Sequence, residues 1–277
     1  MNRALYSDTL DTFRRVIEGH GMTPPANIEP GRFHRFPGQD KGRSNRAGWC
    51  KLFDDSLGGV FGDKASGLSE SWQAQNTRQQ SPADREAWRK RVAESQTRNQ
   101  AETDAAQQAS RQRAAAIWQA ATPAPDEYAY LTRKGIKAHG ARLHQGKLVI
   151  PMRADGVLHS LQFIGADGGK RFLTGGRVAG CYFSIGSPKD ALCIAEGFAT
   201  GSTIFEATGY PVAVAFNAGN LLAVAKAMRD KFPDLPLILC ADDDSHTPGN
   251  PGLTQATEAA RAVGGLLVIP DFAGVAA

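Results

Sequence analysis

Asp190-Ala191-Leu192-Cys193-Ile194-Ala195-Glu196-Gly197 is an apolar run that stops at a carboxylate and a glycine. Further on, Pro236-Leu237-Ile238-Leu239-Cys240-Ala241-Asp242-Asp243-Asp244 repeats the pattern and stops at consecutive carboxylates. Short apolar runs bounded in this way predict buried parallel strands. Helical patterns over Phe198–Thr208, Asn220–Lys231 and Pro251–Val263 alternate with them, and Pro211–Phe216 and Gly265–Pro270 fit further short strands. The resulting β-α-β-α-β-α-β order predicts a small parallel sheet with right-handed crossovers. Ligands of such sheets sit beyond the carboxyl ends of the strands, where Glu196 and the Asp242-Asp243-Asp244 cluster fall. Acids gathered there repel one another unless a cation neutralises them, and oxygen donors on a rigid sheet edge suit Mg²⁺ or Mn²⁺.

Within the cluster, Asp242 and Asp244 are the expected direct metal ligands, because side chains two apart at a strand end point the same way. Asp243 then points elsewhere, supporting the site or capping a helix, or takes over if the strand ends early. Gly197 lets the backbone turn tightly and opens a helix N-terminus towards an anion. Asn217 and Asn220 flank Gly219 at another strand end; Asn217 is a candidate substrate contact and Asn220 reads as a helix N-cap. His246, in a Pro/Gly-rich loop, reads as a surface residue.

A strand ending Glu-Gly followed by a strand ending Asp-x-Asp resembles the Toprim domain of primases, topoisomerases and some nucleases. Glu196-Gly197-Phe198-Ala199-Thr200-Gly201 is similar to the Glu-Gly-Tyr-Ala-Thr-Ala motif of primases carried by conjugative plasmids and satellite phages, with Phe198 for Tyr and Gly201 for the last Ala. The likeness extends through Phe216-Asn217-Ala218-Gly219-Asn220-Leu221 and Asn250-Pro251-Gly252. Upstream, Tyr130-Leu131-Thr132-Arg133-Lys134-Gly135-Ile136, Ile150-Pro151-Met152-Arg153 with Asp155-Gly156, and Gly169-Lys170-Arg171-Phe172-Leu173 resemble the N-terminal half of the bacterial primase core. The resemblance implies that Arg153, Lys170 and Arg171, with Arg177 beside them, line a groove for template and nucleotide. It also implies that Glu196, Asp242 and Asp244 are catalytic, with metal held by Glu196, Asp242, Asp243 and Asp244. Glu196 either completes the metal site or serves as general base; the residues leave both roles open.

The chain has 277 residues, 42% of them hydrophobic, and a net charge of +4. That permits a real core and admits, without requiring, a polyanionic partner. Cys50, Cys181, Cys193 and Cys240 are scattered with no CxxC pair, which predicts buried thiols in a reducing compartment and no cysteine zinc module. Met1–His20 is amphipathic and carries Asp8, Asp11 and Glu18, unlike a signal peptide, and no apolar run is long enough to span a bilayer. The expected location is cytoplasmic, away from membranes. Gly165-Ala166-Asp167-Gly168-Gly169-Lys170 lacks the first Gly and the Ser/Thr of a P-loop, which have Ile164 and Arg171 in their places, so no NTPase motor is expected here.

The rest divides by composition. Residues 1–70 read as a helix over Ala4–Gly19, with Leu5, Leu10, Phe13, Val16 and Ile17 at helical spacing, then a small antiparallel β unit over Gly31–Asp63. Arg32, Arg35, Arg43, Arg46 and Lys51, interleaved with Phe33, Phe36 and Trp49, make that unit a candidate single-stranded DNA surface, its cations facing phosphates and its aromatics stacking bases. Residues 71–123 read as a polar helical connector of one or two helices, opened by Ser81-Pro82-Ala83-Asp84 and weakly anchored by Trp88, Val92, Ala101, Ile117 and Trp118. Residues 124–187 read as a short helix ending at Gly135 and antiparallel strands over Lys147–Met152, Val157–Ile164, Arg171–Leu173 and Cys181–Ser184. Residues 188–277 are the parallel-sheet domain. The fold class is thus α/β, α+β overall. The expected activity is primer synthesis on single-stranded DNA from nucleoside triphosphates, with a separate helicase or replication initiator as partner. A metal-dependent nuclease and a non-catalytic single-stranded DNA-binding module are the alternatives.

Overall fold

The computed structural model describes residues 3–43, 45–64, 66, 68–74, 81–244, 247 and 249–270. Contacts divide the chain into two compact units, Met1–Glu102 and Thr103–Ala277.

In the first unit, α1 (Arg3–Gly19) packs on a four-stranded antiparallel sheet ordered β1 (His34–Phe36), β2 (Gly48–Leu52), β3 (Gly58–Asp63) and β4 (Leu68–Gln73). Phe13 and Ile17 are fully buried against Phe61, Leu52 and Cys50. The sheet is approached closely where it lacks side chains: a β-carbon at Gly59 would lie 2.6 Å from the Lys51 carbonyl oxygen and 2.8 Å from the Phe13 ring. A single helix, α2 (Pro82–Ala120), supplies residues to both units. It starts at a reciprocal cap, in which Ser81 Oγ accepts from the Asp84 N–H and the Asp84 carboxylate accepts from the Ser81 N–H. Its surface is polar almost all round, yet it is held at intervals. Trp88 packs on Phe53, and Arg91 pairs bidentately with Asp55 over the Phe53 ring. In the second unit Ala114 is fully buried with Ile117 and Trp118 beside it. Ala101, expected as an anchor, is exposed. None of the described helices is long and apolar enough to cross a membrane.

The second unit holds two five-stranded sheets. One is antiparallel, ordered β5 (Thr122–Pro123), β6 (Arg142–His144), β7 (Lys147–Ala154), β8 (Val157–Ile164) and β9 (Lys170–Phe172), with α3 (Ala129–Lys134) before β6 and ended by Gly135 in the left-handed region. The other is ordered β10 (Phe183–Ile185), β12 (Val212–Val214), β11 (Leu192–Ala195), β13 (Leu237–Cys240) and β14 (Leu266–Val268). Strands β11 to β14 are parallel and are linked by α4 (Phe198–Thr208), α5 (Leu221–Lys231) and α6 (Pro251–Val263). β10 differs from expectation. The segment assigned to the antiparallel piece instead pairs antiparallel with β12 and edges the second sheet, while Tyr182 bridges back to Arg153. Leu148, Ile150 and Met152 of β7 share one core with Cys193, Ala195, Val212, Val214 and Phe198. The cysteines are free; burial pushes the Cys50 thiol up to about 12 and that of Cys181 up to about 11, which leaves both unreactive.

A link outside the sheets ties the segment before β6 to α4. The Lys137 N–H and His139 Nε2 both donate to Glu206 Oε1, at 2.8 and 2.5 Å. Partial burial raises the Glu206 carboxyl, but the bonds from Lys137 and His139 outweigh it and hold the group below its ordinary value of 4.5. A depressed carboxyl adds stability that is complete above the unfolded value and is lost as pH falls through the folded one. The stability gap between native protein and Glu206→Gln, measured by thermal melting, should therefore stay constant from neutral pH down to about 5 and close below 4.5.

Candidate active site

The chain order of the parallel strands creates the site. From β11 the chain passes to β12 on one side and later to β13 on the other, so the topological switch point lies between β11 and β13. Glu196 follows β11 and Asp242 follows β13, one at each side of that crevice. Glu196, Asp242 and Asp244 are half-buried, whereas Asp243 is exposed.

The expected strand-end geometry of the aspartates does not hold. β13 stops at Cys240, and Asp242–Asp244 form a loop, so strand alternation does not set their directions. Asn250 does that work instead. In the left-handed region at φ 40°, it accepts from the Asp244 N–H through Oδ1 at 2.9 Å and donates from Nδ2 to Asp243 Oδ1 at 2.8 Å. Asp243 thus faces the start of α6. Gly252, in the first turn of α6, lies so near that a β-carbon would sit 2.6 Å from the Asp242 carbonyl oxygen and 3.0 Å from Asp244 Oδ2. Thr200, in the first turn of α4, donates its hydroxyl to Asp242 Oδ1 at 3.3 Å. Glu196 accepts from the N–H of Ala218, in the 3₁₀ turn Ala218–Asn220 that follows β12. Thr200, Asn250 and Gly252 were quoted above as parts of motifs, but supporting roles of this kind depend on contacts between elements distant in sequence.

Electrostatics follow from this crowding. Burial raises the Glu196 carboxyl, as do the charges of Asp242 and Asp244; the Ala218 N–H and Lys170 oppose the rise and do not cancel it. Burial also raises Asp242, with Asp244 adding to the rise and Thr200 and Lys170 opposing it. The Lys170 Nζ lies 4.0 Å from where a Gly197 β-carbon would be, at the mouth of α4. Gly197 precedes that helix in an extended conformation open to any residue, so the tight turn expected of its glycine freedom is not needed there. Among the described residues no three His, Cys, Asp or Glu side chains form a ready-made metal cage. Half-buried carboxylates that repel one another are nonetheless hard oxygen donors of the kind that suits a divalent ion retaining several waters. The residues present therefore fit such an ion.

The other expected residues are placed variously. Arg153 donates to the Gly156 carbonyl and Arg177 to the Ala179 carbonyl, so both are engaged locally. Arg171 is exposed on β9. Asn217 precedes the 3₁₀ turn without a side-chain capping bond. Asn220, expected as a helix cap, is instead a buried strut: it accepts from the Gly180 N–H and donates to the Cys181 and Ala215 carbonyls. His246 lies outside the described residues.

In the first unit the expected single-strand surface loses its aromatic anchor. Trp49 is only 3% exposed, packed with Phe53 and Val60, and cannot stack a base. Phe36 is equally buried, whereas Phe33 is half-buried with Lys51 over its ring. Arg35 is half-buried and donates to Asn99 of α2, and Arg32 pairs with Glu29 just outside the basic window. Arg43 and Arg46 are exposed; Arg46 donates to the Arg43 and Asn45 carbonyls.

Residues 190–269 match the Toprim domain family. Along most of its length the chain is similar to two Escherichia coli proteins named DNA primase TraC. It is 33% identical to one over 97% of this chain and 26% of the relative. It is 34% identical to the other over 95% of this chain and 20% of the relative. It thus spans about a quarter or a fifth of these relatives. A distant likeness, at 18% identity and a TM-score of 0.37, is to a chain in a solved complex of the bacteriophage T7 lagging-strand DNA polymerase with gp4 primase domains, covering 51% of this chain and 78% of that one. Toprim domains are divalent-metal-binding folds, which agrees with the donor set above. The switch-point acids and the motif around Glu196 thus lie in a stretch that matches the Toprim domain, within a chain similar to part of the proteins named DNA primase TraC.

Proposed function

We propose that this chain is the catalytic core of a primase, synthesising short strands on single-stranded DNA from nucleoside triphosphates. The observation that carries this reading is the meeting of Glu196 and Asp242 across the switch point, with Lys170 charged beside them. A Mg²⁺ or Mn²⁺ ion bound there would neutralise charge building on the α-phosphate and lower the pKa of the attacking 3′-hydroxyl. Glu196, Asp242 and Asp244 are the residues that would hold it. Lys170 brings a positive charge to the side of the crevice where phosphates must lie, and the open N-terminus of α4 behind Gly197 favours the same anion. A nuclease needs the acids but has no triphosphate to hold, and Lys170 favours polymerisation over it. The exposed cations Arg171 and Arg43 are candidate contacts for template phosphates.

The test is template-directed synthesis on single-stranded DNA with labelled nucleoside triphosphates and Mg²⁺ or Mn²⁺, with Asp242→Ala as control. New short strands that vanish in the variant support a primase. Metal-dependent shortening of the template would replace it with the nuclease, and DNA binding with neither product would leave a binding module.

Thr200 bears on the same site as a positioning residue for Asp242. Thr200→Val removes the hydroxyl at nearly constant volume and is expected to weaken Mn²⁺ binding about 10-fold or more, whereas Thr200→Ser keeps it. Titration followed by the spectroscopic signal of free Mn²⁺ reads this without turnover. Equal affinity in both variants would show that the hydroxyl does not orient Asp242.

A further inference from the structure

Phe172 is 37% exposed, on the short strand β9 between Arg171 and Leu173. Among the described aromatic residues of this unit only Phe172 and Tyr210 are exposed, and Phe172 is the one on the strand that carries Lys170. Side chains two apart on a strand share a face, which puts Phe172 on the same side of β9 as Lys170. That side faces the crevice, since the Lys170 Nζ lies 4.0 Å from where a Gly197 β-carbon would be. The Phe172 and Phe216 rings meet nearly at right angles, with centroids 6.3 Å apart and planes at 86°. Phe216 is itself buried and held at φ 73°, a backbone region costly for an aromatic residue. It leads into the 3₁₀ turn whose Ala218 N–H binds Glu196. Phe172 is therefore steadied by a ring that leads into the crevice, while it retains open surface.

We infer that Phe172 is a stacking platform for a nucleobase, placed beside the phosphate-facing Lys170. This rests on the primase reading for its ligand class. Every base has a π face, so the platform would act without regard to base identity.

The base could belong to an incoming nucleotide or to the strand, and two probes separate these. One is 2-aminopurine riboside triphosphate; the other is a single-stranded oligodeoxynucleotide carrying one 2-aminopurine. Binding and quenching of 2-aminopurine emission would be measured for native protein, Phe172→Tyr and Phe172→Leu. Leu keeps an apolar contact to Phe216 and offers no π face. Tyr is expected to match the native protein; Leu should bind one probe about 5- to 150-fold more weakly and lose its quenching. The affected probe identifies the source of the base. Native-like binding and quenching of both probes by Phe172→Leu would overturn the platform and assign the ring to packing, whatever the synthesis assay shows. Quenching that is lost in Phe172→Leu, with no strand synthesis by the native protein, would uphold the platform and sink the primase reading.

Discussion

Asp242→Asn should abolish strand synthesis, by about a thousandfold or more, while making the metal-free protein more resistant to heat. The two effects have one cause. Asp242 is half-buried near Glu196 and Asp244, and burial and mutual repulsion both disfavour its charge. Folding must accommodate that charge in the absence of a cation, so a neutral amide relieves the native state. Asn keeps an oxygen to accept from the Thr200 hydroxyl, and its volume is nearly the same, so neither packing nor that hydrogen bond should suffer. In the proposed reaction the same charge is needed. Losing a carboxylate from a divalent site removes several kcal/mol of charge stabilisation, and each 1.4 kcal/mol is about tenfold in rate. Ligand linkage supplies the internal check. Added Mn²⁺ should raise the melting temperature of the native protein by mass action, and should raise that of Asp242→Asn much less. A variant that still makes strands at the native rate would remove Asp242 from the site. A variant that melts lower than native without metal would show that the charge is already compensated within the protein.

The sheet of residues 188–270 is legible because its central strands β11 and β12 are buried on both faces and so read as uninterrupted apolar runs, with acids where the chain leaves β11 and β13. Sheet order was not written there. β10 is short, and it pairs with β12 across distant sequence while the neighbouring Tyr182 bridges to Arg153. Asp242 and Asp244 do both act on Glu196, with Asp243 exposed, but not because of strand alternation: an apolar run marks where a strand is buried, not where its ladder stops, and β13 gives way to a loop governed by Asn250. In the first unit, charge and aromatic content suggested a binding face, but Trp49 lies in a strand almost wholly buried, because Phe53 and Val60 pack around it while Phe13 fills another cluster with Cys50 and Leu52. Interleaved cations and rings look the same in sequence whether the rings face water or core. The connector expected over 71–123 is a single helix from Pro82 to Ala120, where the residues after Pro82 include no Gly or Pro and have no competing local structure, but its expected first residues belong to β4, which ends at Gln73.

Gly252→Ala should reverse the usual sign of a helical Gly-to-Ala change. Ala in a helix is ordinarily worth about 0.5–1 kcal/mol over Gly, because it lowers the entropy of the unfolded chain. Gly252 has no positive φ to forbid a side chain, so the entropic gain is available in principle. The obstacle is space. The new methyl would lie 2.6 Å from the Asp242 carbonyl oxygen, a backbone atom that no rotamer change can move, and 3.0 Å from Asp244 Oδ2. Either α6 or the acid loop must shift. Overpacking of this kind costs about 1–3 kcal/mol, which exceeds the entropic gain. The loop is the softer partner, since α6 is fixed by Ala256, Ala259 and Ala260 in the core, so the displacement should fall on Asp242 and Asp244. A shift near 1 Å at reacting groups lowers rates about 100-fold. Gly19→Ala is the matched control: it too lies in a helix, with nothing within 4 Å of the added methyl, and should be neutral or slightly stabilising. Melting temperature, Mn²⁺ affinity and strand synthesis should therefore all fall for Gly252→Ala and hold for Gly19→Ala. If Gly252→Ala melts lower but binds Mn²⁺ and synthesises as native, the helix rather than the loop has yielded, and Gly252 serves packing alone. If it matches the native protein in all three, the close approach of α6 to the aspartates is not a constraint on the site.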